Sequence, residues 1–460
     1  MLRLLLPLAV LVAASAAAQS PVVGDWTGEI EGAGLTVTFH VTEADGALSA
    51  TLDVPAQGAL GVPTGETTFR GDTLTITVPL VGGRYRGVLA GGAVAGTWSQ
   101  GGAALPLRLT RAEGRVAAPP ERADAPRPPF PYRDEEVSVA SAGGVTLAGT
   151  LTVPDGAGPF PAVVLVSGSG PQDRDAGVFG HRPFRVLADH LARRGIAALR
   201  YDERGVGAST GDFGVATTAD FALDAQAAAD LLAGRPEVSS IGVVGHSEGG
   251  LVAPLAANAS DSVNFVVLLA GPAVPGRDVL RYQLARGLGG AEGVSEAARA
   301  AYGAALDRLL GEVSTGDPAD AADRAAAAFR DEIARLDAAD REALRPYADA
   351  AVRVGAGLAT PWGRSFVAYD PAPALRALRV PALAVFGGLD RQVRTDDNVP
   401  AMRAALADAP AGSGVVVFDG LNHLFQPTET GDPAEYGRID TSYAPAVLRR
   451  VADWIAARTP

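Results

Sequence analysis

The chain of 460 residues contains no cysteine, and no lysine stands anywhere in it, so all 39 basic residues are arginine. Without cysteine there is no disulfide, no thiolate metal site, no iron–sulfur cluster and no cysteine nucleophile. Without lysine a Walker-type phosphate loop is excluded, because that loop sets a Lys on the phosphates. Histidine is scarce, with 5 in all, so an imidazole mechanism must choose among His40, His181, His190, His246 and His423. Positive charge is in deficit. The 39 basic against 52 acidic residues leave −13, which argues against a nucleic-acid or anionic-membrane partner. Long apolar runs are also missing: residues 4–12 are apolar, well short of the ~20 a spanning helix needs. What is present is 47% hydrophobic and 20% charged residues, enough for a sizeable core and too apolar for wholesale disorder.

Arg3, the apolar run that follows it and Ala16-Ala17-Ala18 before Gln19 read as a secretory signal peptide over residues 1–18, cleaved near Ala18. The expectation is an exported protein, periplasmic or extracellular, with no membrane span after cleavage. A cysteine-free exported chain suits a bacterial periplasm or medium better than a disulfide-stapled secreted domain.

Residues 22–111 alternate with a period of two. Leu35, Val37, Phe39 and Val41 interleave with Thr36, Thr38 and His40, and Asp45-Gly46, Gly71-Asp72 and Gly91-Gly92 mark turns. About eight short strands predict a small all-β barrel or sandwich. Gly24-Asp25-Trp26-Thr27-Gly28 resembles the opening of lipocalin-like or avidin-like meanders. Residues 112–131, with Pro119-Pro120 and Pro128-Pro129, predict a semi-rigid linker. From Tyr132 onward strands alternate with helical patterns, which predicts an α/β fold. Its doubly wound, mostly parallel sheet would carry helices on both faces. Residues 277–368 interrupt the alternation with Ala, Arg, Asp and Glu at helical spacing, and predict a helical cap.

Gly245-His246-Ser247-Glu248-Gly249 fits G-x-S-x-G, in which a serine sits on a sharp strand-to-helix turn. A second match, Gly207-Ala208-Ser209-Thr210-Gly211, has loop on both sides. Ser247 instead follows the apolar strand Ile241-Gly242-Val243-Val244 and precedes a small, apolar helix. A serine hydroxyl needs a base, and the base needs an acid to orient it. His423 lies in the loop after the last predicted strand and completes the order Ser…Asp…His. His181, in the loop after the first long strand, is its rival. Asp390 stands at the turn after the strand at residues 380–386, with Asp396 and Asp397 as alternatives that would cap the next helix. The backbone N–H of Glu248 and that of Ser169, in Ser167-Gly168-Ser169-Gly170, are the expected oxyanion donors.

These segments, together with residues 163–175, Tyr201-Asp202-Glu203-Arg204-Gly205-Val206-Gly207 and Asn422-His423, resemble the α/β-hydrolase superfamily over residues 132–460. Within it they are similar to a bacterial secreted carboxylesterase branch near dienelactone-hydrolase and acyl-aminoacyl-peptidase relatives. The resemblance implies a serine hydrolase of carboxylic esters that uses no cofactor and no metal. Its partner would be a small-molecule ester, and its oligomeric state, a homo-oligomer included, is left open. Two departures stand out: Ser167-Gly168 where many relatives carry His-Gly, and an acid at Glu248, which would disfavour anionic substrates. Two other readings stay open. One is a peptidase or amidase on the same triad; the other is a carbohydrate- or surface-binding protein led by the β-domain.

Overall fold

The computed structural model describes residues 20–31, 35–44, 46–55, 59–78, 83–100, 103–112, 122–289, 291, 293–315 and 317–458. The expected signal peptide lies outside them. The chain forms two compact units that divide near residue 116.

The first unit is a meander of nine strands: β1 (Gly24–Ile30), β2 (Leu35–Ala44), β3 (Ala47–Val54), β4 (Ala59–Pro63), β5 (Thr67–Arg70), β6 (Thr73–Val78), β7 (Gly83–Ala90), β8 (Ala93–Gln100) and β9 (Ala103–Arg111). They form one sheet in the order β4-β3-β2-β1-β9-β8-β7-β6-β5, with β1 antiparallel to both β2 and β9. The sheet curls, so that Phe39 on β2 stacks on Tyr85 of β7 at 5.8 Å and meets Trp98 of β8 at 6.4 Å. Trp26 and Trp98 are both buried, as core residues rather than a binding platform. The sequence count of about eight strands missed β4, whose Gly and Pro content reads as turn.

The second unit holds an eight-stranded sheet of β10 (Tyr132–Ala140), β11 (Thr146–Pro154), β12 (Phe160–Val166), β13 (Ala197–Tyr201), β14 (Val238–His246), β15 (Phe265–Leu269), β16 (Ala382–Gly387) and β17 (Gly414–Phe418). Its order is β10-β11-β13-β12-β14-β15-β16-β17. Neighbours from β13 through β17 run parallel, while β10–β11 and β11–β13 are antiparallel. The central strands are apolar on both sides because helices cover both. Val164, Val243 and Val266 face a core shared with α2 (Thr218–Ala233), α3 (Gly249–Ala259) and α10 (Thr395–Ala405). Val163, Val244 and Val267 face one shared with α1 (Pro183–Ala192) and α11 (Pro445–Ala456).

Between β15 and β16 the chain leaves the sheet for α4 (Gly276–Arg286), α5 (Glu296–Ser314), α6 (Ala321–Ile333), α7 (Ala338–Leu358) and α8 (Pro361–Ala368), then returns through the short α9 (Ala372–Arg376). The cap has its own apolar core around Tyr302, Leu306, Leu309, Phe329 and Phe366. That core fixes where α8 lies, and α8 carries Trp362 and Phe366 into the site.

Candidate active site

Strand β14 runs buried through Gly245, turns at Ser247 and becomes α3. Ser247 has φ of +54°. A non-glycine residue in the left-handed region costs about 1–2 kcal/mol, and such strain persists only where the surroundings impose it. Here Ser247 N–H donates to the Leu269 carbonyl at 2.8 Å, and Gly250 N–H donates to the Ser247 carbonyl at 2.8 Å. The two motif glycines are there for space. A Cβ on Gly245 would strike the backbone of Gly249, and one on Gly249 would strike the Val166 carbonyl. Ser247 lines a cavity of about 370 Å³.

His423, in the loop after β17, lines the same cavity. Its Nδ1 lies 2.7 Å from Asp390 Oδ2, and both residues are buried. The other carboxylate oxygen, Oδ1, accepts the N–H groups of Gln392 at 2.7 Å and Val393 at 2.9 Å. Those bonds turn Oδ2 toward the imidazole. With Nδ1–H donating to the carboxylate, Nε2 is the basic nitrogen. His246 braces this arrangement from behind. Its Nε2–H donates to the His423 carbonyl at 3.0 Å, and the two rings lie 4.8 Å apart. Burial, and then the nearby His423, hold the His246 imidazole down to about 4, so it is neutral at physiological pH.

The loop after β12 runs against the nucleophile, since a Cβ on Gly168 would stand 3.0 Å from that of Ser247. Among the described residues, no protein group accepts a hydrogen bond from the backbone N–H of Ser169 or of Glu248. Two buried glutamates set the frame of this loop. Glu203 accepts Ser167 Oγ–H at 2.7 Å and Gln172 N–H at 2.9 Å, and so ties both ends. Glu248 accepts Thr218 Oγ1–H at 2.6 Å and Trp362 Nε1–H at 2.9 and 3.0 Å, with the Ser169 side chain beside it. Burial raises both carboxyls above the usual range, Glu203 well above it. The Glu248 carboxyl, the acid that the sequence places beside Ser247, is engaged by the cap and by α2.

The structure separates the other candidates. Ser209 donates to the Asp202 carbonyl at 2.6 Å and accepts Ala148 N–H at 2.9 Å, so it is a turn serine. His181 is buried against Ser442 at 3.1 Å and the Tyr436 carbonyl at 3.0 Å. Asp396 and Asp397 lie in the first turn of α10, where Arg394 is the N-cap. His40 sits between Asp25 at 2.8 Å and Asp53 at 2.9 Å in the first unit. Arg174 and Asp202, both in the segments that carry the resemblance, bind each other at 2.9 Å and lace the loop to the sheet. Trp362 and Phe366 line the cavity from α8. Sequence reasoning missed Phe184 of α1 and Phe179, Tyr436 and Tyr443, which complete the aromatic wall from segments that carry no motif.

A serine at a strained strand-to-helix turn, a carboxylate-oriented histidine on the same cavity and a parallel sheet with a cap define an α/β-hydrolase. The chain belongs to the family described as Serine aminopeptidase, S33, which matches residues 181–426. Among curated proteins it is similar to Esterase EstD of Thermotoga maritima, 29% identical over 333 residues that cover 71% of this chain and 68% of that protein. Among solved structures it is similar to the Pyrococcus furiosus esterase Pf2001, with 15% identity, a TM-score of 0.43, and 76% of this chain and 100% of that one covered. It is also similar to Est1E from Butyrivibrio proteoclasticus with ferulic acid bound, with 19% identity, a TM-score of 0.41, and 70% and 99% covered.

Proposed function

We propose that the protein is an exported serine carboxylesterase acting on small, neutral carboxylic esters. The observation that carries this reading is the placement of Ser247 and His423 on one cavity with Asp390 bonded to the imidazole. Ser247 Oγ attacks the ester carbonyl while His423 Nε2 takes its proton. The oxyanion is held by the Ser169 and Glu248 amides. His423 returns the proton to the leaving alcohol, and an acyl-Ser247 remains. Water, deprotonated by the same Nε2, releases the acid and restores the serine.

The cavity supports the substrate class in two ways. Its volume of about 370 Å³ lies near the low end for small-molecule sites. Among the described residues no arginine lines it, and the one acid that does, Glu248, already binds Trp362 and Thr218. A free carboxylate would suit a peptide substrate's α-ammonium, and among the described residues none lines this cavity. That favours ester over peptide. Export rests on Arg3 and the apolar run after it; among the described residues no helix is long and apolar enough to cross a membrane.

The test is a paired assay on the mature protein, with p-nitrophenyl esters from acetate to palmitate set against aminoacyl p-nitroanilides. Short-chain ester turnover that Ser247→Ala abolishes and Ser209→Ala keeps is expected. Faster anilide turnover, or turnover that survives Ser247→Ala, would refute the reading.

A further inference from the structure

The Pro-rich segment ahead of β10 is not a free tether over its described part. Arg122 Nη2 donates to the Phe179 carbonyl at 2.5 Å and to the Gly437 carbonyl at 2.9 Å. Two residues on, Asp124 Oδ2 accepts Ser442 N–H at 2.6 Å and Tyr443 N–H at 3.3 Å, and Oδ1 accepts Ser442 Oγ–H at 3.1 Å. Phe179 is 57 residues from Arg122 in sequence and Gly437 is 315, with Ser442 and Tyr443 318 and 319 from Asp124, yet each is, or adjoins, an aromatic wall of the cavity. Phe179, Tyr436 and Tyr443 all line it, and Phe179 meets Tyr436 edge-on at 5.9 Å.

The Phe179 loop carries a second, independent observation. Val178 and His181 exchange backbone hydrogen bonds at 3.1 and 2.8 Å, so Phe179 and Gly180 form the corner of a two-residue hairpin. Both have positive φ, +50° and +78°, as a type I′ turn requires. The first corner position favours Asn, Asp or Gly, and a phenylalanine there is strained. The strain places an aromatic ring on the cavity, and the carbonyl of that residue is one that Arg122 holds. Behind it, Ser442 passes the Asp124 contact on to His181, and Gln426 links His181 to Asn422, next to His423.

We propose that Arg122 and Asp124 are positioning residues that set ester-size selectivity by holding the Phe179, Tyr436 and Tyr443 walls of the cavity. The inference rests on the reading of that cavity as the ester pocket. The functional hydrolase then begins before Arg122, not at the first strand of its sheet. Guanidinium geometry matters, because both carbonyls are met by Nη2, whose two N–H bonds are fixed in the guanidinium plane, whereas an ammonium rotates freely on a flexible stem.

The experiment uses full-length Arg122→Ala, Arg122→Lys and Asp124→Ala. It measures kcat and KM separately for p-nitrophenyl acetate and hexanoate. The hexanoate-to-acetate ratio of kcat/KM is expected to shift by about fivefold or more in both alanine variants, mainly through KM, with partial recovery in Arg122→Lys. A ratio is independent of how much enzyme is folded, so a merely structural role would leave it unmoved. Ratios within about twofold of wild type in both alanine variants overturn the proposal. Should wild type hydrolyse no ester, the ester reading fails by itself. The same ratio is then taken from labelling rates with methyl and octyl fluorophosphonates, which need only a reactive Ser247. No labelling of wild type would overturn both.

Discussion

Trp362→Phe removes the indole N–H together with the five-membered ring that carries it. The Trp362 ring packs on Phe366 with centroids 5.3 Å apart, and a phenyl ring can keep that contact. What goes is the donor that meets both oxygens of Glu248, at 2.9 and 3.0 Å. Glu248 is buried, and Thr218 at 2.6 Å remains as a donor. Leaving a buried acceptor short of a donor costs about 1–3 kcal/mol, so unfolding by urea should show a loss of about 2 kcal/mol. Catalysis should fall as well, because the amide of the same residue is one of the two proposed oxyanion donors. Loss of an entire oxyanion donor costs about 10²–10³ in kcat, and a donor only loosened should cost roughly tenfold, with KM nearly constant. Glu248→Gln keeps one acceptor oxygen but turns an NH₂ toward the other donor, and should lose a similar amount. The two changes touch one interaction, so the double variant should be milder than their sum by about 1–2 kcal/mol. Additive losses, or a Trp362→Phe enzyme with wild-type kcat, would refute the claim that the cap positions the oxyanion donors.

Asp390→Asn should cut kcat by roughly 10³–10⁴, since an amide can present NH₂ to Nδ1 and so favour the tautomer with its proton on Nε2; stopped assays with p-nitrophenyl acetate measure this. His246, lowered from 6.5 to about 4, stays neutral in the folded protein where the unfolded chain takes up a proton. Its contribution is therefore complete above pH 6.5 and is lost as pH falls toward 4, about 2 kcal/mol after allowing for its partial exposure. Glu203 and Glu248, both raised, titrate in the opposite sense, so the measurement is the difference in unfolding free energy between wild type and His246→Gln across that range. A difference that does not change with pH would remove the effect.

The proposed nucleophile, base and acid can be picked out in the sequence because each sits at a strand's carboxyl end, and strand, turn and helix patterns are local. Ser247 stands out from Ser209 by its flanks alone, before any contact is known. The cap is legible as helix from residue spacing, but nothing local shows that α8 turns Trp362 toward Glu248. An acid in the elbow looks like a device for choosing substrates, and only its bonds to Thr218 and Trp362 reveal a brace.

The same limit explains why residues 112–131 read as a tether. Proline content describes how stiff a segment is, not what it lies against, and Arg122 meets Gly437 across 315 positions. Contacts of that reach leave no periodicity and no motif. The chemistry of this site is therefore written locally, while its walls are set by pairings that only the fold brings together. On that account, substitutions in the proposed triad should change rate for every ester alike, whereas substitutions at Arg122 and Asp124 should change the order in which esters are preferred.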